Sequence, residues 1–239
     1  MKNPASCFDL AYLSANGEQK HIIELAAVAR EVGSRSAMVH CADIKQLREA
    51  LDYERQSMPH SVMAEVVIDF PDGAGGEFTK CAQARSAALY KADGADLVVN
   101  LRWVKDKNRP MLLGEFRAVV SRIPETKAII QLPYLWQFQK DDIGWLLELL
   151  AEADVKFVKD WTTRMDNFTE IVPVDDNTRL AYLEYVSEYI WKHELPLKKK
   201  IAGKVTAENA RRYLSAGADV LGIGYKKAKA VRDALLLEE

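Results

Sequence analysis

Eight short apolar runs separated by amphipathic stretches constrain this chain more than any other feature. The runs cover residues 7–13, 36–40, 62–70, 95–101, 127–134, 155–161, 198–204 and 218–224. Several of them, such as AEVVIDF, ADLVVNL and KAIIQL, are nearly continuous in apolar residues, with no clean alternation. Strands covered on both faces require that pattern, and it points to parallel pairing. The stretches between them, among them QLREALDYERQ, EFTKCAQARSAALYKA, DIGWLLELLAEA, NTRLAYLEYVSEYIW and AENARRYLSAG, carry helical periodicity. The first helix is expected over residues 16–32, with Asn16 as its cap and Ile22, Ile23, Ala26, Val28 and Ala29 largely on one face. Gly217 closes the last of the quoted patterns, where a left-handed C-terminal cap is expected.

Repeated βα units over 239 residues fit a closed (β/α)8 TIM barrel better than an open doubly wound sheet, which stays as the alternative. A dinucleotide-binding sheet would need G-x-G-x-x-G straight after an early strand, and the sequence has none. No linker rich in Pro, Gly or Ser interrupts the series, so residues 1–239 are expected to form a single α/β domain. Lys and Arg number 33 against 35 Asp and Glu, a net charge of -2, which gives no whole-chain footprint for nucleic acid. No apolar run is long enough to span a bilayer, and the N-terminal MKNPASCFDLAYL lacks the apolar region of a signal peptide. Cys7, Cys41 and Cys81 are an odd set without CxxC spacing, which argues against a disulfide framework or a structural zinc site. A cytoplasmic location follows as an expectation. His21, His40, His60 and His193 are scattered without metal-ligand spacing, so no metal is expected.

Barrel chemistry sits at the C-terminal ends of the strands, so charged residues inside the apolar runs are the candidates. Lys159, in VKFVKDWTT, is the foremost. A buried lysine without a partner is costly, so it either reaches solvent, forms a barrel-rim salt bridge, or has its pKa pushed down by desolvation and nearby cations. In the last case it is a neutral amine able to form Schiff bases with carbonyls. The run KKKIAGKVT supplies more lysines, which by themselves read as a solvated face. If Lys199 and Ile201 share the interior side of their strand, Lys199 stands beside Lys159 and lowers its pKa. Asp96 opens the run DLVVN and reads either as a strand-edge residue or as a proton-relay carboxylate.

With these residues in place, the chain resembles the deoxyribose-phosphate aldolase family, the class I aldolases of the (β/α)8 type. The resemblance runs through FDLAYL, VIDFPDGAGGEFTK, GADLVVN, TKAIIQ, VKFVKDWTT, KKKIAGKVTAENARRYLSAGAD and LGIG. It implies that Lys159, after Phe157 and Val158, is the Schiff-base lysine. It implies a relay lysine four residues before the second glycine of a Gly-Gly pair, which counted back from Gly203 gives Lys199. It implies that Asp96 is the relay aspartate. Arg164 falls where the family has a basic residue, and with Thr162, Gly203, Gly222 and Gly224 it makes up the expected phosphate side. The departures lie there too: Asp160, Trp161, Thr162 and Thr163 replace hydroxyl residues and a glycine, the Gly-Gly pair reads as Ala202-Gly203, two phosphate-binding serines are Gly224 and Tyr225, and a His-Thr pair is Leu10-Ala11.

The resemblance implies a cofactor-independent class I aldolase. Its most economical substrate is 2-deoxyribose 5-phosphate, cleaved to glyceraldehyde 3-phosphate and acetaldehyde. The rival readings are a diverged lysine-dependent aldolase or acyl transferase with another substrate, and a non-catalytic metabolite-binding barrel. The expected partner is a small phosphorylated aldehyde or sugar, with no nucleic acid and no membrane; a homo-oligomer is compatible with this reading.

Overall fold

The computed structural model describes residues 3–53, 61–166, 168 and 174–237, and a strand overlaps each of the eight runs, the fourth and fifth starting one and two residues ahead of theirs. They are β1 Phe8–Ala11, β2 Ser36–His40, β3 Met63–Ile68, β4 Gly94–Val98, β5 Glu125–Ile129, β6 Phe157–Lys159, β7 Lys198–Ala202 and β8 Val220–Gly224. Each pairs in parallel with its neighbour in chain order, and β1 also pairs with β8, from Phe8 opposite Leu221 to Ala11 opposite Gly224. That closure removes the open-sheet alternative: the fold is a (β/α)8 TIM barrel.

The connections hold α1 Lys20–Val32, α2 Ile44–Asp52, α3 Gly76–Leu89, α4 Leu101–Lys105, α5 Arg109–Val120, α6 Leu132–Phe138, α7 Asp142–Glu152, α8 Asp176–Lys192 and α9 Ala210–Ser215, and α10 Ala228–Leu237 follows β8. α1 starts at Lys20 rather than at the expected position, because the Asn16 side chain accepts a hydrogen bond from Ser14 Oγ inside a turn instead of capping the helix. Gly217 takes φ +99° just beyond α9, in keeping with the expected helix stop. Among the described residues no helix is long and apolar enough to cross a membrane. None of Cys7, Cys41 and Cys81 is joined in a disulfide.

Alternation along the strands divides the interior into two chemistries. Leu10, Ala37, Val39, Val66, Leu97, Ala128, Val158 and Ile201 belong to one continuous apolar cluster with the surrounding helices. Residues of the opposite parity face the barrel axis, and there buried Asp9, Glu65, Asp96, Lys127, Lys159 and Lys200 replace the branched aliphatics that usually fill such barrels. Each apolar run therefore reads as a strand covered on both faces, yet most carry a single charge at the level of the site.

Candidate active site

Lys159 ends β6 and stands in register with Lys200 of β7 on one side and Ile129 of β5 on the other. Its Nζ donates to Asp96 Oδ2 at 2.9 Å, and Lys200 Nζ donates to the same oxygen at 2.8 Å. Two amines thus converge on one carboxylate oxygen at the floor of the cavity. Lys200 also reaches Asp9 Oδ2 at 2.7 Å, and Lys127 lies 3.5 Å from Asp96 Oδ1 and 2.7 Å from Glu65 Oε2. Below them Arg35 Nη1 bonds Asp9 Oδ1 at 2.7 Å and Glu65 Oε1 at 3.1 Å, its Nη2 pairs with Glu125, and Ser36 Oγ donates to Asp9 and Glu65.

This network drives the two amines in opposite directions. Burial holds Lys159 below the ordinary lysine value, with the Lys200 ammonium adding to the effect and the Asp96 carboxylate opposing it. Burial also disfavours the charge on Lys200, but Asp9, Asp96 and Glu65 together outweigh it and hold Lys200 above the ordinary value. Burial likewise disfavours charge on Asp96 and Asp9, yet their lysine neighbours prevail and hold both carboxyls below the usual range. Glu65 goes the other way, pushed up by burial and by the adjacent Asp9. Oxygens of Asp9, Glu65 and Asp96 lie within 4.8 Å of one another, a spacing that suits a cation. In this barrel the Lys127 and Lys200 ammonium groups meet those carboxylates. Of the four histidines, His60 lies outside the described residues.

The structure corrects the placement of Lys199. Its Nζ pairs with Asp219 at 3.1 Å on the outside of the barrel, and its backbone N–H donates to the same carboxylate. The reason is parity: Ile201 packs in the outer apolar cluster and Lys199 shares its side, opposite Val158, so Lys198, Lys200 and Ala202 point inward. The register of the Gly-Gly signature moves with it. Two successive residues take positive φ, Gly203 (+68°) and Lys204 (+52°), and counting back four residues from the second of them gives Lys200. At Gly203 the glycine itself is required, since a Cβ there would lie 1.9 Å from Thr163 Cγ2.

Above the amines opens a cavity of about 690 Å³, walled by the loops after β1, β6, β7 and β8 and by Phe70 beyond β3. Trp161 lines it, its Nε1 donating to the Ala202 carbonyl at 2.8 Å. Asp160 turns away from it. Its Oδ2 accepts from Arg179 Nη2 of α8 at 2.8 Å and its Oδ1 from the Ala202 N–H at 2.9 Å, while Arg179 also donates to the Ala202 and Gly203 carbonyls. This buried pair clamps the ends of β6 and β7 together. Arg179→Met should therefore lower stability by about 3 to 5 kcal/mol, because it strands a buried carboxylate. Urea unfolding of that variant and of Asp160→Leu/Arg179→Met checks this, the double substitution recovering much of the loss.

The expected phosphate side is assembled only in part. Thr162 lines the cavity, but its hydroxyl receives from Gln131 Nε2 and donates to the Arg164 carbonyl. Arg164 crosses the mouth, Nη2 donating to the Leu13 carbonyl at 2.9 Å with its guanidinium 5.8 Å from the Phe70 ring centre. Gly222 lies deeper, where a Cβ would meet Ala202 Cβ at 2.5 Å and Lys200 Cε at 3.3 Å; its small size makes room for the Lys200 stem. Gly224 borders open space. Tyr225, in place of the second serine, sends its hydroxyl to Glu24 at 2.6 Å, away from the amines.

No protein-family model matches the chain. Among curated proteins it is 29% identical to the deoxyribose-phosphate aldolase of Dictyoglomus turgidum over 220 residues, which cover 91% of each chain. It is 30% identical to the deoxyribose-phosphate aldolase of Thermococcus kodakarensis over 159 residues, 65% of this chain and 68% of that relative. Among solved structures, the tetrameric deoxyribose phosphate aldolase of Aeropyrum pernix matches with a TM-score of 0.78 at 19% identity, over 98% of this chain and 92% of that one, a likeness of fold. A closed barrel with such relatives is an enzyme of the aldolase type, a carbon–carbon lyase. The chain belongs to the deoxyribose-phosphate aldolase family.

Proposed function

We propose that this enzyme makes and breaks a carbon–carbon bond through an imine on Lys159, and that its substrate is 2-deoxyribose 5-phosphate. The observation that carries the reading is the pair of amines on Asp96 with pKa values displaced in opposite directions, one toward a nucleophile and one toward a lasting acid. In cleavage, Lys159 Nζ adds to the C1 aldehyde of the open-chain sugar, and loss of water gives the iminium. Lys200, left neutral once it has protonated the departing carbinolamine hydroxyl, takes the C3 hydroxyl proton through water, and the C2–C3 bond breaks. Its electrons pass into the iminium as an enamine, and C3 leaves as the aldehyde of glyceraldehyde 3-phosphate. Protonation of the enamine carbon and hydrolysis then release acetaldehyde and restore the amine.

Lys200 and Asp96 have separate parts in this sequence. Lys200, held protonated, supplies positive charge that adds to burial in lowering the Lys159 pKa and is the proton source for the carbinolamine hydroxyl and the enamine carbon through water. Asp96, held ionised, fixes both amines in place. No cofactor enters the scheme. Incubating the enzyme with 2-deoxyribose 5-phosphate should release acetaldehyde and glyceraldehyde 3-phosphate in equal amounts, each followed by its own coupled dehydrogenase. Turnover of other aldehydes with none of this sugar phosphate would exclude the substrate and leave the amine chemistry standing.

A further inference from the structure

Eight described residues other than glycine take positive φ, and they divide into two sets. Lys91, Lys107, Asp154 and Glu194 follow the C-terminal ends of α3, α4, α7 and α8, where a left-handed residue is ordinary. Asp69, Gln131, Thr163 and Lys204 instead follow β3, β5, β6 and β7, around the mouth of the barrel. Asp69 accepts from the Gly75 N–H and Gln131 bonds Thr162, so those two side chains fasten loops. Lys204 has another setting. Its side chain lines the cavity with Nζ 5.2 Å from the Trp161 ring centre, and among the described residues it pairs with no carboxylate. A glycine would take φ +52° without the steric penalty that lysine carries there, so backbone geometry alone does not account for a lysine at this position.

Two changes therefore meet on neighbouring walls of the cavity. The wall beyond β8 offers Gly224, facing open space, and Tyr225, whose hydroxyl is turned to Glu24. The wall beyond β7 offers an ammonium resting on an indole that the Ala202 carbonyl holds in place. Arg164, the other candidate for an anion, already spends one donor on Leu13 and stacks on Phe70. We propose that Lys204 is the specificity-determining residue for the anionic end of the substrate, and that it reads charge rather than shape, so that aldehydes ending in a carboxylate are accepted along with those ending in a phosphate. An ammonium on a flexible stem is a point charge without the fixed fork of a guanidinium, so it favours either anion over a neutral group and discriminates little between them. The inference rests on the Lys159 imine.

The test measures addition of acetaldehyde to three acceptors: glyceraldehyde 3-phosphate, succinic semialdehyde and neutral glyceraldehyde. The wild type should prefer both anionic acceptors by tenfold or more in kcat/KM. Lys204→Gly should raise KM for both by roughly 10- to 150-fold, the range for losing a charge-assisted hydrogen bond, with kcat within about threefold. Its melting temperature should equal or exceed the wild type's, because a strained residue has been relieved; a scaffold role for Lys204 predicts the opposite. Lys204→Arg should keep most of the preference. A wild type that uses only the phosphorylated acceptor overturns the proposal. So does a preference that survives Lys204→Gly or disappears in Arg164→Ala. Absence of any imine between acetaldehyde and Lys159 overturns the proposal together with the chemistry beneath it, whereas an intact imine with an inert Lys204 overturns the proposal alone.

Discussion

Borohydride added to the enzyme in the presence of acetaldehyde should leave one ethyl group on Lys159 Nζ and on no other amine, and Lys159→Ala should abolish both the label and turnover. Loss of a covalent nucleophile predicts a fall on the order of 10⁴-fold or more in kcat. Selectivity follows from the barrel interior. Of the three buried lysines around Asp96, Lys200 is held charged by Asp9, Asp96 and Glu65, and Lys127 faces Glu65, Asp9 and Asp96. Lys159 and Lys200 both line the cavity, and of these two it is Lys159 that burial pushes below the ordinary 10.5. The sign of the pH dependence is then fixed. The reactive form is the neutral amine, so kcat/KM should climb with pH along a limb that levels off below 10.5. Peptide mapping of the reduced adduct reads the site, and circular dichroism of Lys159→Ala shows whether the barrel is intact. A label on Lys200 or on a surface lysine would remove the mechanism.

Why Lys159 and Asp96 were legible in the sequence, and other members of the network less so, is a matter of how alternation is read. A charge inside an apolar strand marks an inward position, and that signal singles out Lys159 in VKFVKD. It applies equally to Asp9 in FDLAYL, Glu65 in MAEVVI and Lys127 in TKAII, all of them buried around the same centre. In KKKIAGK the signal fails for a physical reason. Three successive lysines include both parities, and only the partner of each side chain, Asp219 outside or Asp9 and Asp96 inside, decides which one enters the barrel. Arg35 was beyond local reading altogether, because it lies just before β2 and meets carboxylates from β1, β3 and β5. The Asp160–Arg179 clamp joins residues far apart in the chain, so Asp160 reads in the sequence as a pocket residue and in the fold as a buried tie.

Parity makes the sharpest functional forecast. Lys200→Met should lower kcat by roughly 10²- to 10⁴-fold, the range for a positioned proton donor, whereas Lys199→Met should stay within about threefold of the wild type. The Lys199–Asp219 pair is partly solvated, and its loss should cost no more than about 1 kcal/mol of stability. Removing Lys200 acts on Lys159 twice. It takes away a positive charge that lowers the Lys159 pKa, and it leaves Asp96 Oδ2 to Lys159 alone, which raises that pKa again. Both changes favour the protonated amine, so the rising limb of kcat/KM should move to higher pH in Lys200→Met and stay in place in Lys199→Met. The same substitution leaves Asp9 and Asp96 with fewer cations, and breaking such a buried set should lower stability by about 3 to 5 kcal/mol, so activity is compared at a temperature where circular dichroism shows both variants folded. Reduced stability alone scales the whole profile down and leaves its limb where it was. A Lys200→Met enzyme whose limb does not move, or a Lys199→Met enzyme that loses activity on this scale, would return the relay role to the outer face of β7 and contradict the register of the strand.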